Sequence, residues 1–149
     1  MTSGGAFTLI TRATCARVAR GLQGQIVSLG DVECPERLNL VYGIPGEADV
    51  PSVQRYLRRF EGLEIKAKLL HFPPFGFEFM GVKAGDQKVL AFILSEKPDL
   101  VIHGHAERQA EYRIADTRVV SVGSLDLGYY VLYDSRRNSY ELLSLTAIR

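Results

Sequence analysis

The chain has 149 residues, the length of one domain, and reads as a single unit over 1–149. Its 18 basic and 17 acidic side chains leave a net charge of +1, with no basic surplus to indicate nucleic acid or an anionic membrane as partner. Apolar residues make up 46%, enough for a packed core, yet no apolar run approaches the ~20 residues that span a bilayer.

The pattern predicts a short strand over 7–11. Thr14 can cap a helix over 15–22, in which Val18 and Leu22 share a face. A buried strand follows over 25–29 and ends at Gly30-Asp31. A third strand is expected over 38–43, with Leu40 and Tyr42 alternating against Asn39 and Val41, then a loop over 43–49. Pro51 suits the first turn of a helix, where Val53, Leu57 and Phe60 recur at helical spacing and Gly62 makes the stop. Residues 64–71 read as a strand that Pro73-Pro74 breaks. Asp86 can cap a helix with Val89, Leu90, Ile93 and Leu94 on its core face, closed by Pro98. Residues 99–103 are the next strand, opening into 104–109. The last third is β-rich, with strands over 111–114, 118–122, 129–134 and 140–145. Ala115-Asp116 and Arg136-Arg137-Asn138 mark turns, so this part reads as a meander. β-α-β units followed by a meander make an α/β domain of two packed mixed sheets flanked by helices.

Polar residues that chemistry can use cluster after the strands. Asp31 follows the second, Glu47 and Asp49 the third, His71 the fourth, and His103 and His105 the fifth. In α/β sheets the carboxyl ends of strands share one edge, so these loops can converge. Two histidines and two carboxylates meeting there would suit zinc, iron or manganese. Each residue also has an ordinary reading: Gly30-Asp31 as a turn or cap, His71 as a hydrogen-bonded ring, His103 as a packed one. Ser121 and Ser124 read as backbone caps within a loop. Phe72, Phe75, Phe77 and Phe79 are four of the seven phenylalanines, and form either a core face or an exposed patch for a partner or second subunit. Cys15 and Cys34 cannot build a disulfide framework and read as reduced thiols. Residues 1–9 lack the basic segment and apolar core of a signal peptide, so a cytoplasmic protein is expected.

The order of these segments resembles the calcineurin-like metallophosphoesterase superfamily over nearly the whole chain, from about Phe7 to Asp134. Ser28-Leu29-Gly30-Asp31 looks like its Gly-Asp motif. The stretch from Val41 to Asp49 looks like the Gly-Asn-x-Asp region, with Glu47 in place of Asn. Leu70-His71-Phe72-Pro73-Pro74-Phe75-Gly76 looks like the Thr-His-Gly-Pro-Pro-x-Gly segment of a small-enzyme branch. His103-Gly104-His105-Ala106-Glu107 looks like Gly-His-x-His, with Glu107 replacing the second His. Val120-Ser121-Val122-Gly123-Ser124 looks like the strand that follows. The resemblance implies a metallophosphoesterase-like α/β sandwich.

It also implies two metals about one bridging carboxylate. The first would take the positions of Arg12, Thr14, Asp31 and Glu107. Arginine cannot ligate a cation, because it stays protonated at any working pH, so this site is expected to be lost. The second would take Asp31, Glu47, His71 and His105, all able to ligate. At most one divalent metal (manganese, zinc or iron) is therefore expected, or none if the protein is inactive. The catalytic positions carried over are Asp49, His105 and Arg12. Arg12 is expected to place its cationic head between Asp31 and Glu107, so that its removal costs a few kcal/mol. The implied function is a divergent phosphoesterase acting weakly, if at all, on phosphate esters or diesters. The alternative is an inactive homologue that binds a ligand or a protein. The implied partners are a phosphate-containing small molecule and, through the segment from Phe72 to Phe79, a second copy of the chain.

Overall fold

The computed structural model describes residues 6–13, 25–31, 42–43, 66–74 and 85–145. Among them the strands, in chain order, are β1 (Ala6–Ile10), β2 (Gln25–Ser28), β3 (Tyr42–Gly43), β4 (Lys68–Leu70), β5 (Leu100–His103), β6 (Ala110–Ile114), β7 (Thr117–Ser121), β8 (Tyr129–Asp134) and β9 (Ser139–Ser144). One α-helix, α1 (Gln87–Glu96), precedes β5, and a 3-10 turn (Leu125–Leu127) precedes β8. The helices expected over 15–22 and after Pro51 lie outside the described residues.

The strands form two sheets, ordered β3-β2-β1-β8-β9 and β4-β5-β7-β6. Both are mixed. β1 runs parallel to β2 and antiparallel to β8, while β5 runs parallel to β4 and β7, and β6 closes the edge antiparallel. The β-rich last third is therefore not one meander. It is two hairpins: β6–β7 completes the four-stranded sheet, and β8–β9 crosses to the other one beside β1. Strand pattern alone sets pairing between neighbours within a hairpin, but not which sheet each hairpin joins.

Side chains alternate across each strand, and this builds three apolar layers. Phe7, Leu9, Val27 and Val131 of the larger sheet meet Leu69, Leu100, Ile102 and Val120 of the smaller between the sheets. Each such side chain contributes about 1.5–3 kcal/mol by leaving water. The opposite parity places Val101 and Val119 outward, where Ile93, Val89, Leu90 and Phe92 of α1 cover them. Asp86 caps α1, accepting a hydrogen bond from the Lys88 amide at 2.7 Å, and Lys97 ends it in the left-handed region just before Pro98. Leu94, expected on the core face, is 50% exposed, and Phe92 packs against the sheet instead. On the far side of the larger sheet, Ile10, Ala13, Ile26 and Leu125 form a smaller cluster.

Polar ties fix the two sheets to each other. Tyr133 of β8 is fully buried, and its hydroxyl accepts from the Lys66 and Ala67 amides just ahead of β4 while donating to Asn138. The Gln109 amide donates to the carbonyls of Val122, Tyr130 and Leu143, spanning both sheets.

Candidate metal centre

The carboxyl ends of β1, β2, β4 and β5 come together at one edge of the sandwich. Backbone hydrogen bonds hold them. The Leu29 amide donates to Ile10, the Arg12 amide to Gly30, and the Gly104 amide to Leu70. Thr11 is fully buried and ties three loops at once. Its hydroxyl donates to the Gly30 carbonyl at 2.9 Å and accepts from the His105 amide at 3.4 Å. Gly104 sits where these loops cross. A Cβ there would stand 2.7 Å from both the Leu29 carbonyl oxygen and Thr11 Oγ1, so only glycine fits. Nothing in the sequence distinguishes Thr11 from any other strand-end residue.

The crossing brings Asp31, His71 and His105 together, with one ligating atom of each within 4.8 Å of the others. His71 and Asp31 are withdrawn from water, their side chains 5% and 9% exposed. The His71 ring is oriented by the backbone. Its Nδ1 lies 2.7 Å from the Leu29 carbonyl, an acceptor only, so Nδ1 carries the proton and donates. That leaves Nε2 facing Asp31 Oδ2 at 3.6 Å, buried and without a hydrogen bond among the described residues. A lone pair on Nε2 facing a carboxylate in a buried place is unfavourable, and either a proton on Nε2 or a metal cation between the two groups relieves it. A carbonyl holding the far nitrogen of an imidazole is also the arrangement that presents a metal-ligating ring. One carboxylate and two imidazoles suit zinc, manganese or iron, and three protein ligands leave a position open to a further ligand. Glu47, the expected fourth ligand, and Asp49 lie outside the described residues.

The backbone at this edge is strained. Arg12, Asp31 and His105 all have positive φ, at 53°, 62° and 66°. His105 is the centre of a tight turn in which the Ala106 amide donates to Gly104 at 2.7 Å, a γ-turn of the rarer, strained kind. Among the described residues the other non-glycine residues of this type are the helix cap Lys97 and the turn residues Ala115 and Asn138, where such geometry has a local purpose. Non-glycine residues held this way cost of order 1 kcal/mol or more and collect at functional sites.

Arg12 occupies the other side of the centre. Its guanidinium donates to the His105 carbonyl at 3.1 Å and pairs with Glu107 at 3.2 Å. These side chains are 34% and 62% exposed. Such a pair is worth about 0–1 kcal/mol, less than the few kcal/mol expected from sequence, because water already solvates both charges. Thr14 lies outside the described residues.

His103 points to the opposite face of β5 from Ile102 and is fully buried. Its Nδ1 donates to the Gly104 carbonyl, and its Nε2 accepts from the Tyr112 hydroxyl, both at 2.9 Å. Burial lowers its pKa from 6.5 to about 4, so it is a neutral structural ring. Ser121 and Ser124 cap backbone carbonyls, those of Arg108 and Arg12. Phe72 is half-buried and touches both imidazoles of the cluster, with ring centroids 4.6 Å from His71 and 5.1 Å from His105. Phe75, Phe77 and Phe79 lie outside the described residues. No helix among the described residues is long and apolar enough to cross a membrane.

No family model and no curated protein matches the chain by sequence. Solved structures do match its fold. A Thermus thermophilus protein, TT1561, superposes with a TM-score of 0.66 at 14% identity, covering 95% of this chain and 99% of that one. An archaeal phosphodiesterase superposes at 0.57 and 14% identity, covering 94% and 99%. Vps29 of Entamoeba histolytica, in a complex with zinc, superposes at 0.52 and 13% identity, covering 94% and 98%. The chain therefore has the calcineurin-like phosphoesterase fold, spanning the full length of these neighbours.

Proposed function

We propose that this phosphoesterase fold holds one divalent cation at Asp31, His71 and His105, with Glu47 as the fourth ligand, and that its ligands are phosphate esters. The observation that carries the reading is the buried His71 Nε2, set against the Asp31 carboxylate by the Leu29 carbonyl behind it. A cation held there supplies Lewis-acid charge stabilisation to a phosphoryl group. Arg12 adds a fixed positive charge on the other side. Two of its five N–H donors are used on His105 and Glu107, and the rest can meet a phosphate oxygen. Asp49 and His105 are the remaining catalytic positions.

The site holds one cation where a phosphoryl-transfer pair would clamp both the attacking and the leaving oxygen. Arg12 stands in place of a ligand, so hydrolysis of ordinary monoesters and diesters is orders of magnitude slower than at a two-metal centre. The neighbours include an archaeal phosphodiesterase and Vps29 proteins. An inactive homologue that only binds a ligand or partner is therefore the competing reading.

Equilibrium dialysis against manganese and zinc, with metal content read by mass spectrometry, tests the centre. One cation per chain, lost in Asp31→Ala, is the expected result. Zero or two would overturn it. A diester hydrolysis assay in the same manganese buffer then separates the slow enzyme from the inactive binder.

A further inference from the structure

The Phe72 ring packs against His71 and His105. Phe72 also lines an open cavity of about 440 Å³, together with Gly85, Asp86, Gln87 and Lys88 at the start of α1. A ligand in this cavity therefore meets the same residue that touches both imidazoles. The two walls are fixed to each other. The Asp86 amide donates to the Pro73 carbonyl at 2.8 Å, Pro74 bridges to Asp86, and both prolines are buried.

We propose that this cavity takes the base of a nucleoside phosphoester, stacked on Phe72, while its phosphate lies at the metal centre. The proposal deepens the function given above and rests on it for the placing of the phosphate. The chemistry of the walls selects the base. Phe72 offers a flat apolar face, on which any base can stack. The opposite wall is polar and exposed at Gln87 and Lys88. The Gln87 amide both donates and accepts, and the Lys88 ammonium donates, which matches the mixed donor and acceptor edge of a heterocycle. A plain aryl or alkyl group would leave that wall unused. Asp86 also lines the cavity, and one of its carboxylate oxygens caps α1 by accepting from the Lys88 amide. The segment resembling Thr-His-Gly-Pro-Pro-x-Gly has glycine where this chain has Phe72, so the platform is a feature of this chain.

Calorimetric titration of the manganese-loaded protein with AMP, with ribose 5-phosphate and with inorganic phosphate tests the proposal. AMP should bind about 10-fold or more tighter than ribose 5-phosphate, the scale of one base stacked on an aromatic ring. Phe72→Leu keeps the bulk against the imidazoles but removes the flat face. It should erase most of that preference and change ribose 5-phosphate affinity less than twofold. Gln87→Ala, on an exposed position that leaves folding intact, should reduce the preference a few-fold. Equal affinity for AMP and ribose 5-phosphate, no AMP binding at millimolar concentration, or a preference that survives in Phe72→Leu would overturn the base pocket. Manganese binding is read separately in the same samples. Its absence counts against the metal centre, whereas the preference for AMP over ribose 5-phosphate still decides the pocket.

Discussion

The two sides of the centre carry similar charges in different surroundings. Asp31 and His71 are almost wholly withdrawn from water, whereas Arg12 is about one-third exposed and Glu107 largely exposed. On the buried side, solvent cannot compensate a carboxylate facing an imidazole lone pair, so a proton or a bound cation has to do so. On the exposed side, water screens the pair and the contact carries little free energy. Burial, rather than the number of charges, decides which half of the site is chemically constrained.

The strongest test of that contrast is His71→Ala. It removes one of the described ligands, and manganese affinity should fall at least about 100-fold, equal to about 3 kcal/mol. A change below threefold would mean the buried side holds no cation.

His103 gives the same lesson through pH. Above pH 6.5 its ring is neutral in both folded and unfolded chains. As pH falls, the unfolded chain takes up a proton that the buried ring refuses until about pH 4. Stability is therefore lost between pH 6.5 and 4, by about 3 kcal/mol in all. Urea unfolding of the metal-free protein across that window, compared with His103→Gln, isolates the contribution. Parallel pH profiles for the two proteins would place the ring's proton uptake outside folding.

Gly104→Ala probes the framework beneath the buried side. The added Cβ meets the Leu29 carbonyl and Thr11 at 2.7 Å. The loops must separate, so we expect a loss of about 1–3 kcal/mol in urea unfolding, with weakened metal binding. An unchanged midpoint would show that the crossing loops give way freely.

Arg12→Ala should have the smallest effect on folding, under about 1 kcal/mol by the same measurement. A loss of several kcal/mol would reverse the ranking of the two sides and show the guanidinium compensating buried charge after all.

Much of this was legible in the sequence. Alternation located the described strands to within a few residues, and Asp86 and Pro98 marked the ends of α1. Asp31, His71 and His105 stood out because each follows a strand, and loops at one sheet edge can meet. Other features left no local trace. Thr11 reads as one more strand-end residue, and its hydroxyl matters only because Gly30 and His105 arrive beside it from segments 19 and 94 positions away. His103 and His105 are two residues apart in one motif, yet pleating and the turn at His105 send them to different environments.

By itself, the sequence determined the element types, the apolar faces and the residue types available for ligation, because periodicity and side-chain chemistry are local properties. Only the tertiary structure decided which hairpin joins which sheet, which histidine is satisfied and which faces a carboxylate, and that Phe72 both touches the two imidazoles and lines a cavity. Those outcomes depend on contacts between distant segments and on exclusion of water, and neither is encoded at any single position.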